Sequence, residues 1–184
     1  MTTTSSSSSS TTGRRLSRPL FSRAKPKTGL TVRDAMRTEL QTAAPDTDLA
    51  TIARFMWERD CGIIPIVTAE RRLVGVITDR DICIAAATKG RAPAYIRAQE
   101  LLSAPVVTCS PDDDCHAALT LLCERQLRRL PVVDADGQLV GIVSLIDFIR
   151  IAQGLRGAKG LYPSYEEIVS TLKSIGETRV FAAA

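Results

Sequence analysis

The order of apolar and polar positions predicts a small set of helices and strands. One face with the i, i+3, i+4, i+7 spacing of a helix is made of Leu49, Ile52, Ala53 and Met56. Two apolar runs of strand length follow at 63–67 and 73–77, joined by a short turn. A second helix is predicted from about residue 79 to residue 89. With a strand ahead of the first helix, the unit reads β-α-β-β-α.

The same pattern returns 66 residues later without a gap. Positions 32–84 and 98–150 share 13 identical residues over 53 positions, whereas typical amino-acid usage gives about three by chance. Duplication is the natural explanation. The elements of the second copy are a helical face Cys115, Ala118, Leu119, Leu122, apolar runs at 130–133 and 139–143, and a helix over about 146–153.

The two copies are expected to form one α/β body. Each unit is too small to bury both faces of its sheet alone, so the units should pack against each other. The chain has 184 residues, of which 45% are hydrophobic, and this is enough for one compact body. Pro65 and Pro131 are expected at strand starts or edges, because proline has no N–H to donate to a sheet.

Composition and charge exclude several classes of function. Residues 1–30 carry six bases and no acid, which leaves 18 bases against 20 acids in the remainder. The predicted body is therefore not a basic nucleic-acid-binding surface. No apolar run approaches the ~20 residues that cross a bilayer, so no membrane partner is expected. Five cysteines without a C-x-x-C pair indicate a reduced, intracellular protein.

The two ends of the chain are predicted to differ from the body. Residues 1–29 are rich in Ser and Thr and basic, and they should be a disordered tail. Such a tail fits a cytoplasmic protein, although an organelle transit peptide remains the alternative. Residues 154–184 form a C-terminal extension, in which a capping box at Ser164 predicts a helix over about 165–175.

The candidate chemistry lies where the last strand of each unit meets its helix. Residues 75–81 and 141–147 both read Gly-apolar-apolar-hydroxyl-x-x-Asp. One reading is structural, because a hydroxyl and an acid three residues apart can cap the helix. The other is a nucleotide site. A helix N-terminus suits phosphate, glycine allows a ligand close to the backbone, and an acid can hold a ribose diol.

This motif at the end of a tandem β-α-β-β-α repeat, with h-P-V-V upstream, resembles the CBS domain pair, or Bateman module. The resemblance covers residues 30–153, with one CBS domain at 30–90 and the other at 91–153. It implies two CBS folds related by a pseudo-twofold axis. It also implies two clefts that bind AMP, ADP, ATP or S-adenosylmethionine as a regulatory ligand, and a disc-shaped homodimer.

The resemblance also assigns roles to residues of this chain. Phosphate would meet Thr78 and Ser144, and ribose would meet Asp81 and Asp147, with Gly75 and Gly141 ahead of them. Basic side chains for phosphate would be Arg128 and Arg129 in the second copy, with Arg80 as partial compensation in the first. The adenine slots would be lined by Ile64, Ile66, Leu130 and Val132, with backbone near Thr42 and Thr108. Because the copies differ in charge, unequal affinity for polyphosphates is expected.

The predicted function is a stand-alone regulatory module that acts through a separate partner protein. The alternative is a structural dimerisation or interaction module whose clefts stay empty. An enzyme is disfavoured, because no nucleophile and base are suggested together by spacing. No catalytic residue is proposed, and the single histidine, His116, makes a His-rich metal site improbable.

Overall fold

The computed structural model describes residues 29–102, 105–154 and 162–177. Nearly all of the predicted tail, and the parts of the C-terminal extension at 155–161 and 178–184, lie outside the described residues. In chain order the elements are α1 (Val32–Ala35), α2 (Leu49–Glu58), β1 (Ile63–Val67), β2 (Leu73–Thr78), α3 (Asp79–Thr88), α4 (Cys115–Arg125), β3 (Arg129–Val133), β4 (Leu139–Ser144), α5 (Leu145–Gly154) and α6 (Tyr165–Gly176). The predicted α/β fold with two like units and a C-terminal helix is confirmed.

Each unit contains one antiparallel hairpin, and the two hairpins have the same register. Ile63 pairs with Thr78 in the first, and Arg129 pairs with Ser144 in the second. The strand predicted ahead of each hairpin is a single parallel bridge, in which Ala43 pairs with Ile66 and Cys109 pairs with Val132. The unit therefore keeps the predicted order, but its first strand is reduced to one residue.

Pro65 and Pro131 lie in the middle of β1 and β3, on the outer edge of each hairpin. The carbonyl of Pro65 accepts a hydrogen bond from the Ala43 N–H at 3.1 Å, and that of Pro131 accepts one from Cys109 at 3.1 Å. The proline nitrogen, which carries no hydrogen, points to the same side of the strand as this carbonyl. The neighbouring chain there forms a bridge of only one residue. Proline is tolerated there because no regular ladder needs its donor.

The first helix of each unit begins at an aspartate. The Asp48 carboxylate accepts a hydrogen bond from the Thr51 N–H at 2.9 Å, and Asp114, 66 residues later, accepts one from the His116 N–H at 2.8 Å. Both helices are followed by a residue with positive φ, 47° at Asp60 and 51° at Gln126. The repeat in sequence is thus a repeat in backbone conformation.

The two units exchange their leading segments. Val32 of α1 is fully buried in the core of the second unit, together with residues of α4 and β3. Ile96 and Ala98 are buried in the core of the first unit. Each core is therefore completed by the segment that precedes the other unit in sequence.

The units also meet at their hairpin turns. The Leu73 N–H donates to the Gly137 carbonyl at 3.2 Å, and the Leu139 N–H donates to the Arg71 carbonyl at 2.9 Å. Leu73 is equivalent to Leu139 and Arg71 to Gly137, so each hydrogen bond is the counterpart of the other in the repeat. A twofold relation between the units requires this. Arg71 and Gly137 both have positive φ.

Helix α6 packs on the second unit, against α4 and α5. It begins at Ser164, whose hydroxyl accepts a hydrogen bond from the Glu167 N–H at 3.2 Å, and it buries Ile168 completely. Across the described ranges, no helix has the length and apolar character needed to cross a membrane.

Candidate ligand site

The first strand-to-helix junction is a closed hydrogen-bonded pair. The Asp81 Oδ2 atom accepts hydrogen bonds from the Thr78 N–H at 2.8 Å and from its hydroxyl at 2.6 Å. In return, the Thr78 hydroxyl accepts a hydrogen bond from the Asp81 N–H at 3.3 Å. This is the capping box that the motif allowed, and it satisfies donors at the start of α3.

The second junction repeats this pair and adds two arginines. The Asp147 Oδ2 atom accepts hydrogen bonds from the Ser144 N–H, at 3.0 Å, and from the Ser144 hydroxyl. The Asp147 Oδ1 atom accepts from Arg37 Nε at 2.9 Å and from Arg150 Nη1 at 3.4 Å. The Asp147 side chain is only 5% exposed. The buried carboxylate is thus held by three neighbours, whereas Asp81 is held by one among the described residues.

A cleft of about 540 Å³ opens between the two units at this second junction. Its volume lies within the range of small-molecule sites, which are roughly 300–1,000 Å³. Its walls come from both units: Arg37 and residues 39–41, residues 59–61 at the end of α2, Ile63 and Pro65 of β1, and Arg129, Ile142, Ser144 and Asp147 of the second unit. The structure therefore brings Ser144, Asp147 and Arg129 together in one cavity.

The first junction does not open on this cleft. Asp81 lines a smaller hollow of about 150 Å³, with Ala85 and Thr88 of the same helix. The wall that corresponds to residues 37–41 would come from residues 103–107, two of which lie outside the described residues. The Asp79 carboxylate also lies here, with Oδ2 3.1 Å from where a Cβ on Gly62 would be. The first junction is therefore more acidic than the second, where Leu145 and Arg128 hold the equivalent positions.

The glycine of each junction is covered by an apolar side chain of the exchanged segment. A Cβ on Gly141 would lie 2.6 Å from Sδ of Met36, and one on Gly75 would overlap Leu102. The sequence suggested that these glycines let a ligand approach the backbone. In the structure, the atoms that lie close to the two glycines belong to Met36 and Leu102.

The four residues expected to line the adenine slots have their side chains in the cores. Ile64, Ile66, Leu130 and Val132 are fully buried, the first two in the core of the first unit and the others in that of the second. Strand residues alternate between faces. The neighbours Ile63 and Pro65 therefore turn toward the cleft instead, together with Arg129. The apolar side chains of β1 that line the cleft are thus Ile63 and Pro65, and the assignment of the adenine slots stays a prediction.

The remaining predicted residues lie around the junctions. Thr42 and Thr108 are half-buried and immediately precede the bridge residues Ala43 and Cys109. Gln41, next to Thr42, lines the cleft. Arg80 and Arg128 are exposed, and neither lines the 540 Å³ cleft, whereas Arg129 does.

Arg37 is one of the cleft residues that the sequence did not reveal, and the one that binds the junction carboxylate directly. It lies 110 residues from Asp147, in a segment that the repeat assigns to the other unit. One signal was present in the sequence. The equivalent of Arg37 in the other copy is Ser103, and that of Arg150 is Ile84, so both arginines are specific to the second junction.

Within the part of the chain that the structure describes, no group of three or more His, Cys, Asp or Glu side chains could hold a metal ion. Every buried side-chain nitrogen and oxygen there has a hydrogen-bond partner. The candidate chemistry of the cleft is therefore that of its arginines, its carboxylates and its apolar walls.

Two like hairpin-and-helix units, joined through exchanged segments around an inter-unit cleft, define a tandem-repeat α/β protein. The model of the CBS domain matches residues 32–87 and 98–154. The protein therefore belongs to the CBS domain family and carries two CBS repeats.

Two relatives show how far the similarity extends. The uncharacterized protein MK0525 of Methanopyrus kandleri is 32% identical over 122 residues, which are 66% of this chain and 62% of that protein. The CBS domain-containing protein YhcV of Bacillus subtilis is 35% identical over 116 residues, which are 63% of this chain and 81% of YhcV. Each of these two alignments covers about two thirds of this chain, and the alignment with MK0525 covers less than two thirds of that protein.

Three solved structures share the fold. Hypoxic response protein I, crystallised with two coordinated zinc ions, is 33% identical, with a TM-score of 0.61 over 66% of this chain and 98% of that one. CBSX2 in complex with AMP is 29% identical, with a TM-score of 0.62 over 70% and 99%. The CBS domain pair of MJ0100, in complex with 5′-methylthioadenosine and S-adenosyl-L-methionine, is 26% identical, with a TM-score of 0.60 over 68% and 97%.

Proposed function

We propose that this protein is a regulatory module that binds an adenosine-containing ligand between its two CBS units. The observation that carries the proposal is the 540 Å³ cleft, which joins Ser144, Asp147 and Arg129 to the apolar side chains of Ile63 and Pro65. A carboxylate, a cation and an apolar wall suit the ribose, phosphate and base of a nucleotide. The AMP complex of CBSX2 and the adenosine-ligand complex of MJ0100 support this ligand class.

Each part of the nucleotide has a proposed partner in the second cleft. Asp147 accepts from the ribose hydroxyls, Ser144 and Arg129 contact the phosphate, and the base lies against Ile63 and Pro65. Arg129 is suited to phosphate because its guanidinium can donate two parallel hydrogen bonds. In the first unit, Thr78 and Asp81 are the corresponding residues, and Arg80 partly compensates for the missing arginine pair. Their junction carries the additional negative charge of Asp79, so the proposed first cleft should bind polyphosphates more weakly.

The output of the module is proposed to pass through other chains. A homodimer in the cytoplasm, acting on a separate partner protein, would convert ligand binding into a change of shape or association. No catalysis is proposed. Ligand binding can shift such an equilibrium only by the difference in affinity for its two states.

Thermal unfolding with a panel of ligands tests the proposal. AMP, ADP, ATP and S-adenosylmethionine are each added to the full chain, with GMP as the control for the base. A ligand at a hundred times its dissociation constant adds about 2.7 kcal/mol to the free energy of unfolding. For a chain of this size, that shift raises the midpoint by roughly 5–10 °C. Mass spectrometry of small molecules that co-purify with the protein identifies the natural ligand.

A structural module with empty clefts is the second candidate, and one observation favours it. In both junction motifs the hydroxyl and the acid are hydrogen-bonded to each other, and Met36 and Leu102 cover the glycines. This candidate predicts that no adenosine ligand changes the unfolding midpoint. It also predicts that Asp147→Asn lowers stability without affecting any binding.

A further inference from the structure

The ion pair between Arg37 and Asp147 occupies the carboxylate that the ribose would need. Arg37 Nε lies 2.9 Å from Asp147 Oδ1. A carboxylate has about four acceptor positions on its two oxygens, and all four are in use here. Ser144 donates to Oδ2 through its N–H and its hydroxyl, and Arg37 and Arg150 donate to Oδ1. A ribose diol can therefore reach Asp147 only if one of these donors leaves.

Arg37 is the donor best placed to leave. Its backbone is held to β4, because its N–H donates to the Ile142 carbonyl at 2.9 Å and its carbonyl accepts from the Ile142 N–H at 3.0 Å. Its side chain is nevertheless 53% exposed and lines the cleft. The guanidinium can thus swing within the cleft while the backbone stays fixed. Ser144, by contrast, caps the start of α5, and Arg150 does not line the cleft.

The first junction lacks this arrangement. The structure gives Asp81 Oδ1 no hydrogen bond from the described residues, and the position equivalent to Arg150 is the exposed Ile84. The position equivalent to Arg37 is Ser103, which has no charge. The sequence therefore supplies the arginines for such an ion pair at the second junction and not at the first.

We propose that Arg37 is a gate that makes the second cleft select phosphorylated adenosine ligands. This inference rests on the proposed function, and it names the ligand class of that site. A ribose that binds Asp147 releases the Arg37 guanidinium, which then needs a new anion. A phosphate on the same ligand supplies one, since charge-assisted bonds from arginine to phosphate are strong and often bidentate. Adenosine has no charge, and S-adenosylmethionine is a net cation whose single carboxylate is offset by its sulfonium and ammonium groups, so neither supplies the anionic charge that a phosphate does.

Calorimetry with AMP and adenosine tests the gate. All variants carry Asp81→Asn, so that the proposed first cleft is disabled and the second is measured alone. Arg37→Ala should weaken AMP by about tenfold or more, the usual effect of losing a charge-assisted hydrogen bond. It should leave adenosine binding unchanged or tighter, because the Asp147 Oδ1 atom then keeps only the hydrogen bond from Arg150. The ratio of the two affinities therefore falls by at least about tenfold.

Arg33→Ala is the matched control. Arg33 belongs to the same segment and also forms an ion pair of 2.9 Å, with Asp112, but it does not line the cleft. Its loss should leave the ratio of AMP to adenosine affinity as it is in the Asp81→Asn protein. An equal loss in both arginine variants would mean that net charge alone matters, and it would overturn the gate.

The results separate failure of the gate from failure of the proposed function. If the protein without substitutions binds none of AMP, ADP, ATP, S-adenosylmethionine and adenosine, the proposed function fails. If ligands bind but Arg37→Ala leaves the ratio unchanged, the gate is overturned and the module stands. That result is expected if the released guanidinium pairs with Glu39 or Asp60, the other carboxylates of the cleft wall.

A second measurement keeps the test valid if Arg37→Ala does not fold. The Nε–H resonance of Arg37 in the unsubstituted protein reports its own hydrogen-bond partner. Saturation with AMP should shift this resonance, and a crystal structure with AMP should show Arg37 on the phosphate. An Arg37 that remains on Asp147 in the AMP complex overturns the proposal.

Discussion

Met36 lies over Gly141, with its Sδ atom 2.6 Å from the position that a Cβ on residue 141 would occupy. Leu102 has the same relation to Gly75, and the two pairs are separated by the same 66 residues as the repeats. In both units the glycine is thus needed for the packing of a segment that comes from the other unit. Glycine in the motif therefore has a structural role that does not depend on any ligand.

Gly141→Ala should destabilise the protein by roughly 1–3 kcal/mol, as overpacking of a close contact typically does. The added Cβ would meet Met36 and would also come within 3.0 Å of the Arg37 carbonyl oxygen, which belongs to the backbone and cannot turn away. Denaturant unfolding measures the change. Gly154→Ala is the control, because a Cβ there meets no atom within 4 Å.

A double substitution tests the cause. Met36→Ala removes the side chain that the new Cβ meets, so the cost of Gly141→Ala should be smaller in the Met36→Ala protein than in the natural one. If the cost of Gly141→Ala differs between the two proteins by more than about 0.5 kcal/mol, the two sites are directly coupled. Strictly additive effects would show that the Met36 side chain is not what requires glycine at position 141.

Asp48→Ala should cost about 1 kcal/mol at neutral pH, the usual effect of losing an N-cap. The hydrogen bond from the Thr51 N–H lowers the pKa of Asp48 below 3.8 in the folded protein. A lowered pKa in the folded state means that this stabilisation is present above the pKa of the unfolded chain and is lost as pH falls through the folded value.

The pH dependence of unfolding checks this sign. The difference in stability between the natural protein and Asp48→Ala should shrink as the pH is lowered from neutral to about 2–3. Asp48→Asn is the control, because asparagine also accepts a cap hydrogen bond but does not titrate. A difference that stays constant with pH would contradict the assigned role of the carboxylate.

The cysteines should differ widely in reactivity. Burial raises the pKa of Cys109 and of Cys115 to about 12 each, so both stay as neutral thiols near pH 8. Cys83 is exposed. Iodoacetamide followed by mass spectrometry should modify Cys83 well before the two buried thiols. In urea all should react alike, and early modification of Cys109 in the folded protein would contradict the packing of the second core.

The two arginines before Pro131 should contribute unequally to nucleotide binding, if the proposed function holds. Both arginines are exposed, but Arg129 lines the cleft and pairs with Ser144 across the hairpin, whereas Arg128 does not line it. Arg129→Ala should weaken ATP binding by about tenfold, the usual effect of losing a charge-assisted hydrogen bond. Arg128→Ala is the matched control, with the same change of charge one residue away. Equal effects in calorimetry would contradict the assignment.

Much of the local structure followed from the sequence, because it depends on short-range patterns. The predicted helix over 79–89 is Asp79–Thr88, and the predicted helix over 165–175 is Tyr165–Gly176. Helical spacing and capping residues act within a few turns, so they can be read directly. The 66-residue repeat likewise predicted the second unit from the first.

It was harder to predict which side chains of each strand turn toward the core and which turn toward the cleft. Residues 63–67 are apolar at every position, so alternation did not show which side chains turn inward. The structure places Ile64 and Ile66 in the core and leaves Ile63 and Pro65 at the cleft. A strand with apolar residues on both faces is oriented by what packs on each side, and that depends on the other unit.

The sequence by itself determined the repeated unit, its hairpins and helices, and the pairing of hydroxyl and acid at each junction, because all of these act over a few residues or follow from the duplication. Only the tertiary structure decided that the leading segments are exchanged and that Arg37 therefore meets Asp147, 110 residues away. Contacts at such separations arise from the packing of whole units, and no local pattern along the chain records them.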